Sequence, residues 1–153
     1  MSHNLLKGKR GIIFGALNDM SNAWKVAERA KEEGAEFVLT NAPIAMRMGA
    51  INELAEKTDS KIIPADATSV EDLEKLIEGS MDHLGGKLDF VLHSIGMSPN
   101  VRKGKHYTGV NYDWYAKTLD VSATSLHKTL RLYELHEQQN AREHKLYLEI
   151  GIF

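Results

Sequence analysis

Apolar and polar positions along this chain follow two alternating patterns. Short apolar runs occupy Gly11-Ile12-Ile13-Phe14, Glu36–Thr40, Lys61–Asp66 and Leu88–Ile95. Each is short enough for a strand, and the first is apolar without interruption, as a parallel strand covered on both faces should be. Longer stretches between them carry apolar residues at helical spacing. Ser21–Glu33 places Ala23, Val26, Ala27 and Ala30 on one face, with Ser21 or Asn22 as cap and Gly34 as stop. Pro43 opens a further element, and Ile44–Lys57 reads as one helix. Pro64 suits the third strand to a sheet edge. Ser69 with Asp72 signals a helix start, and Val70, Leu73, Leu76 and Ile77 turn inward before Gly85-Gly86 ends it near Leu84. A polar loop, Met97–Asn111, precedes a long helix from Asp113, on which Tyr115, Leu119, Ser122, Leu126, Leu130 and Tyr133 form one face.

Strand and helix thus alternate four times, which predicts an α/β fold: a Rossmann-like, three-layer parallel sheet joined by right-handed crossovers. Such sheets hold ligands beyond the C-terminal ends of their strands. Here those ends are Gly15, Thr40-Asn41, Asp66 and Ser94-Ile95-Gly96.

Composition narrows the picture modestly. The 153 residues include nineteen Lys and Arg against twenty-one Asp and Glu, a formal charge of -2 that argues against a general nucleic-acid surface. Cysteine is absent, which removes disulfides and thiolate chemistry and fits a reducing cytoplasm. No apolar run approaches the roughly 20 residues of a membrane span, and the N-terminus lacks the apolar core of a signal peptide. The expectation is a cytoplasmic protein with no membrane or nucleic-acid partner and no metal site.

Candidate chemistry gathers at the strand ends. The first strand leads into Gly15-Ala16-Leu17-Asn18-Asp19-Met20-Ser21-Asn22-Ala23. A strand, a glycine hinge and a helix start can offer unpaired N–H groups to a pyrophosphate, and small residues at Ser21 and Ala23 leave room for it. The same stretch also fits an ordinary strand-to-helix turn. Asp66 and the next backbone N–H can reach an adenine edge, or Asp66 can serve as a turn residue. The second strand ends in Thr40-Asn41-Ala42, with no acid for ribose hydroxyls and no adjacent arginine for a 2′-phosphate. At the fourth strand end Gly96 permits close approach of a flat ring such as nicotinamide. His93 there is either a packed residue or a catalyst.

Taken together, Gly15-x5-Ser21-x-Ala23, Asp66-Ala67 and His93-Ser94-Ile95-Gly96 resemble the enoyl-[acyl-carrier-protein] reductases of bacterial type II fatty-acid synthesis, within the short-chain dehydrogenase/reductase superfamily. Leu6-x-Gly8-Lys9-Arg10-Gly11, Gly34-Ala35-Glu36 and Gly86-Lys87-Leu88-Asp89-Phe90 support the resemblance, which covers about residues 5–130. It implies reduction of an enoyl thioester, carried on acyl carrier protein, by hydride from NADH. It further implies that Gly15, Ser21 and Ala23 line the pyrophosphate, that Asp66 and Ala67 flank the adenine, and that Ser94, Ile95 and Gly96 line the ribose and nicotinamide. Ser98 falls near the acyl substrate. Ala42 stands where the family often has glutamine.

The family's catalytic pair, Tyr-x6-Lys, is absent. Seven positions beyond Tyr107, Tyr112, Tyr115 and Tyr133 stand Trp114, Leu119, Ser122 and Asn140, and no residue lies that far beyond Tyr147. No catalytic residue is therefore assigned. The reading divides the chain into a dinucleotide-binding unit, 1–130, and a tail, 131–153, that does not match the family. The tail is a polar helical extension ending in Leu146–Phe153, a possible C-terminal strand, and reads as a truncation or as a designed replacement of the fifth strand. The sheet would then be incomplete and the fourth strand's edge bare, so self-association is expected. The alternative function is a non-catalytic dinucleotide-binding or partner-binding module.

Overall fold

The computed structural model describes residues 3–47 and 49–139. The four apolar runs form β1 (Arg10–Phe14), β2 (Glu36–Thr40), β3 (Lys61–Ile62) and β4 (Phe90–His93). All pair in parallel, in the order β3-β2-β1-β4. The helices are α1 (Asn22–Glu32), α2 (Pro43–Met46), α3 (Ala50–Thr58), α4 (Val70–Leu84), α5 (Pro99–Arg102), α6 (Tyr112–Leu119) and α7 (Ser125–Gln139). A π-helical turn, Asp120–Thr124, joins α6 to α7.

Alternation along the strands sorts their side chains into two cores. Ile13, Phe37 and Leu39 meet Ala23, Trp24 and Ala27 of α1 and Ile51 and Leu54 of α3. Ile12, Phe14, Val38 and Val91 meet Leu73, Leu76 and Ile77 of α4 and Tyr133 of α7. Both faces are covered, which is why β1 reads as an unbroken apolar run.

Several boundaries differ from the sequence expectation. The helix expected over Ile44–Lys57 is two helices, because Gly49 adopts a left-handed φ of 76° that no α-helix continues through. The third strand stops at Ile62, yet its pairing passes Pro64: Ile63 N–H donates to Leu39 O and Ala65 N–H to Asn41 O. It lies at the sheet edge, as Pro64 requires. The fourth strand pairs only over Phe90–His93. Val26 and Val70 are exposed rather than inward. On α1 the buried face extends to Trp24 on its other flank instead, and Val70 is the first residue of α4. Ser69 caps α4 as expected, its hydroxyl accepting from Asp72 N–H at 3.2 Å.

The long helix from Asp113 is not continuous either. Ser125 Oγ donates to Val121 O and Thr118 Oγ1 to Trp114 O, bonds that loosen a helix locally. The π-turn shifts the face that α7 presents to the sheet. Tyr115 and Leu119 are exposed, and the face that packs on the sheet is Ser125, Thr129 and Tyr133. The possible strand Leu146–Phe153 lies outside the described residues.

Candidate functional site

The chain leaves β1 for β2 and β3 on one side and returns to β4 on the other, so the order reverses between β1 and β4. In an open parallel sheet that crevice is where ligands lie. Its floor is made by Gly15 and Ser94. Gly15 has φ 92°, its N–H donates to Thr40 O at 3.1 Å, and a Cβ placed on it would stand 1.9 Å from the Ser94 carbonyl oxygen. Only glycine fits there, for backbone conformation and for space together.

The loop after Gly15 is held by its own polar groups. Ser21 Oγ donates to Asn18 O at 2.6 Å and accepts from Leu17 N–H at 3.2 Å. Ser21 is the residue before α1, but its side chain caps no helix N–H. Asn41, at the end of β2, donates to Ala16 O at 3.1 Å and ties the loop to the neighbouring strand. Trp24 N–H and Lys25 N–H both donate back to Ser21 O, which leaves Asn22 N–H and Ala23 N–H as the donors at the start of α1 without an intrahelical acceptor. Ala23 is fully buried under the loop, where its small size lets α1 approach the sheet.

Asp66 and Ala67 follow the third strand. Asp66 Oδ1 accepts from Thr68 N–H at 2.9 Å and from the Thr68 hydroxyl at 2.7 Å. The hydroxyl bond, then the N–H bond, hold its carboxyl below the ordinary aspartate value. Its own N–H donates to Asp72 Oδ2 at 2.9 Å. Ala67 is buried in the core beside α4. Lys128 of α7 crosses to this turn, donating to Thr68 O at 3.2 Å and to Asp120 Oδ1 at 2.7 Å.

Beyond β4, Ser94 and Ile95 are half-buried and Gly96 is exposed. Ser122 of the π-turn accepts from Met97 N–H at 3.1 Å and lies 3.7 Å from a Cβ placed on Gly96. Ser98 accepts from Val101 N–H at 3.4 Å and so starts α5. His93 is buried, with Nε2 2.8 Å from Ser125 Oγ. That hydroxyl also donates to Val121 O. Burial pushes the imidazole below its ordinary value. His93 is a packing residue that fastens α7 to β4.

The strand ends therefore bring Gly15, Ser94, Ile95 and Gly96 together at the crevice, with Asp66 on its far rim. Asn41, Ser122 and Lys128, which brace these segments, carry no local signal. Their partners lie 25, 25 and 60 residues away. Tyr133 is buried, and its hydroxyl exchanges hydrogen bonds with Leu88 N–H and Leu88 O, so it serves packing. Tyr107, Tyr112 and Tyr115 are exposed, and Tyr147 lies outside the described residues.

A family model described as enoyl-(acyl carrier protein) reductase matches residues 15–142. The chain belongs to this family. Among the family's curated members it is 31% identical over 122 residues to the NADH enoyl-[acyl-carrier-protein] reductase 1 of Rhizobium meliloti, covering 79% of this chain and 44% of that protein. It is 32% identical over 128 residues to the NADH enoyl-[acyl-carrier-protein] reductase FabI of Rickettsia bellii, covering 82% and 48%. The crystal structure of the FabI–NADH complex from Alistipes finegoldii is 62% identical and superposes with a TM-score of 0.86, over 88% of this chain and 48% of that one. The chain thus spans about half the length of the relatives it matches. Among the described residues, no helix is long and apolar enough to cross a membrane.

Proposed function

We propose that this chain supplies the dinucleotide-binding half of an NADH-dependent enoyl-[acyl-carrier-protein] reductase of fatty-acid synthesis. The observation that carries the reading is the crevice floor: Gly15 back to back with the Ser94 carbonyl, at the point where the strand order reverses and α1 begins.

The residues present fit a dinucleotide. Gly15 lets the backbone pass beneath a pyrophosphate without a side chain in the way. The N–H groups that open α1 are the ready donors to phosphate, because the Ser21 hydroxyl already donates to Asn18 O. Ser21 keeps the loop in its closed shape, and Ala23 brings α1 close. Asp66 and Ala67 form the adenine rim, with Asp66 ionised and held by Thr68. Ser94, Ile95 and Gly96 form the ribose and nicotinamide wall, and Ser98 stands toward the acyl chain. Bound NADH would supply the hydride.

The acid that would stabilise an enolate and the lysine that would set the nicotinamide ribose are not in this sequence as Tyr-x6-Lys. The 153-residue chain alone is expected to bind NADH and to turn over negligibly. The cofactor unit comprises residues 1–130, and the reading places the protein in a cytoplasmic compartment, acting on a carrier-linked enoyl thioester. Because β4 forms one edge of the sheet among the described residues, the chain also self-associates.

The test is an NADH titration of the purified chain, followed by nicotinamide fluorescence, with a crotonyl thioester added last. Saturable binding at micromolar concentration with no loss of NADH on adding thioester is the expected result. Absence of binding would overturn the cofactor reading, and consumption of NADH would overturn the claim that the missing pair disables turnover.

A further inference from the structure

Directly after Ser98 the chain makes an excursion that the cofactor crevice does not use. Its base is stapled by two asparagines: Asn111 N–H donates to Asn100 Oδ1 at 2.9 Å, and Asn100 Nδ2 donates to Asn111 O at 3.1 Å. Asn100 is buried, and Asn111 also caps α6 through Trp114 N–H. Between them, residues 101–109 are all exposed. Backbone bonds hold the loop's own shape, among them Lys103 N–H to Pro99 O and Lys105 N–H to Asn100 O, each at 3.0 Å. A loop with pinched ends and internal bonds is a preformed surface, so a partner meets it without the entropy cost of ordering it.

Its chemistry is one-sided. Arg102, Lys103 and Lys105 stand in a run, and none makes an ion pair among the described residues. Residues 90–112 contain no Asp or Glu at all, while the rest of the chain carries sixteen basic against twenty-one acidic residues. The protein therefore concentrates unneutralised positive charge on this loop although its overall balance is negative. Beside the cations two large apolar side chains stand in water, Val101 at 77% and Tyr107 at 94% exposure. Cations alone would suit any anion. Cations interleaved with an exposed aromatic and a valine suit an acidic protein face that also buries apolar area.

We propose that the loop between Asn100 and Asn111 is the docking surface for an acidic face of the carrier protein that delivers the acyl thioester. This rests on the function proposed above, in which the substrate arrives on such a carrier. The loop rises from the end of β4 beside Ser98, so a carrier seated on it stands at the mouth of the crevice.

Binding of crotonyl-loaded acyl carrier protein to the full chain can be followed by fluorescence anisotropy. The variants are Arg102→Glu/Lys103→Glu/Lys105→Glu combined, and Tyr107→Ser, all at exposed positions whose side chains make no hydrogen bond in the structure. The combined reversal should weaken carrier binding about tenfold. Raising salt from about 10 mM to about 150 mM should weaken the wild-type complex similarly. Tyr107→Ser should weaken it further, and NADH titration and thermal melting of the variants should match wild type. The proposal is overturned if the combined reversal binds carrier as well as wild type does, or if wild type binds no carrier. Inorganic polyphosphate binding as tightly as the carrier, with no effect of Tyr107→Ser, would also overturn it in favour of a small anion. Loss of NADH binding with carrier binding intact would sink the cofactor reading and leave the docking surface standing.

Discussion

His93 shows how one residue type can point two ways. At a strand end beside a candidate crevice it invites a catalytic reading. Its buried ring, 5.9 Å from that of Phe14, and its bond to the Ser125 hydroxyl of α7 make it a clamp. The clamp has a pH signature. Burial lowers its folded value below the ordinary 6.5, so the stability it lends is whole above 6.5 and is lost as pH falls from there through the lower folded value. Urea midpoints at pH 7.5 and pH 5 should therefore fall more for the wild-type chain than for His93→Gln. Equal falls would mean that the imidazole is not held neutral. Gly15 is the opposite case. It was legible as a hinge from the sequence, but that its missing Cβ makes room for Ser94 O depends on a strand nearly eighty residues away.

Among the elements, the strands were the most legible and the helix faces the least. A buried parallel strand announces itself by an unbroken apolar run, and β1 and β2 do so. A helix face is set by what the helix lands on. On α1, spacing alone accommodates Val26 as well as Trp24, yet the sheet takes Trp24, whose Nε1 also donates to Glu28 at 3.0 Å. Truncating each separates the two. Trp24→Ala should cost about 3 kcal/mol or more, and Val26→Ala within about 0.5 kcal/mol. Chemical denaturation of the two variants measures the difference, and similar costs would count against this packing. The turn from α6 into α7 was illegible for another reason. Nothing in Asp120–Thr124 breaks a helix by propensity. The π-turn coexists with tertiary bonds between Ser122 and Met97 and between Lys128 and Thr68, which no window of sequence contains.

At the scale of the whole molecule, the sheet is open at β4 among the described residues. A strand edge with unpaired N–H and C=O groups recruits another strand. Light scattering on the purified chain should give a mass above that of one copy, and a monodisperse monomer would count against self-association. The same scale separates two surfaces on one protein: a crevice built from backbone and small residues, and a cationic loop braced beside it by Asn100 and Asn111.

The sequence by itself determined the alternation of strand and helix, the glycine hinge, the edge position of the proline-bearing strand and the family resemblance. These rest on local properties: apolar periodicity, backbone freedom at glycine and a missing N–H at proline. Tertiary structure alone decided which side chains fill the core, that His93 is a clamp, and that Asn41, Ser122 and Lys128 hold the crevice segments in place. Those outcomes depend on partners distant in the chain, and folding brings them within hydrogen-bond reach only after the sheet has fixed their places.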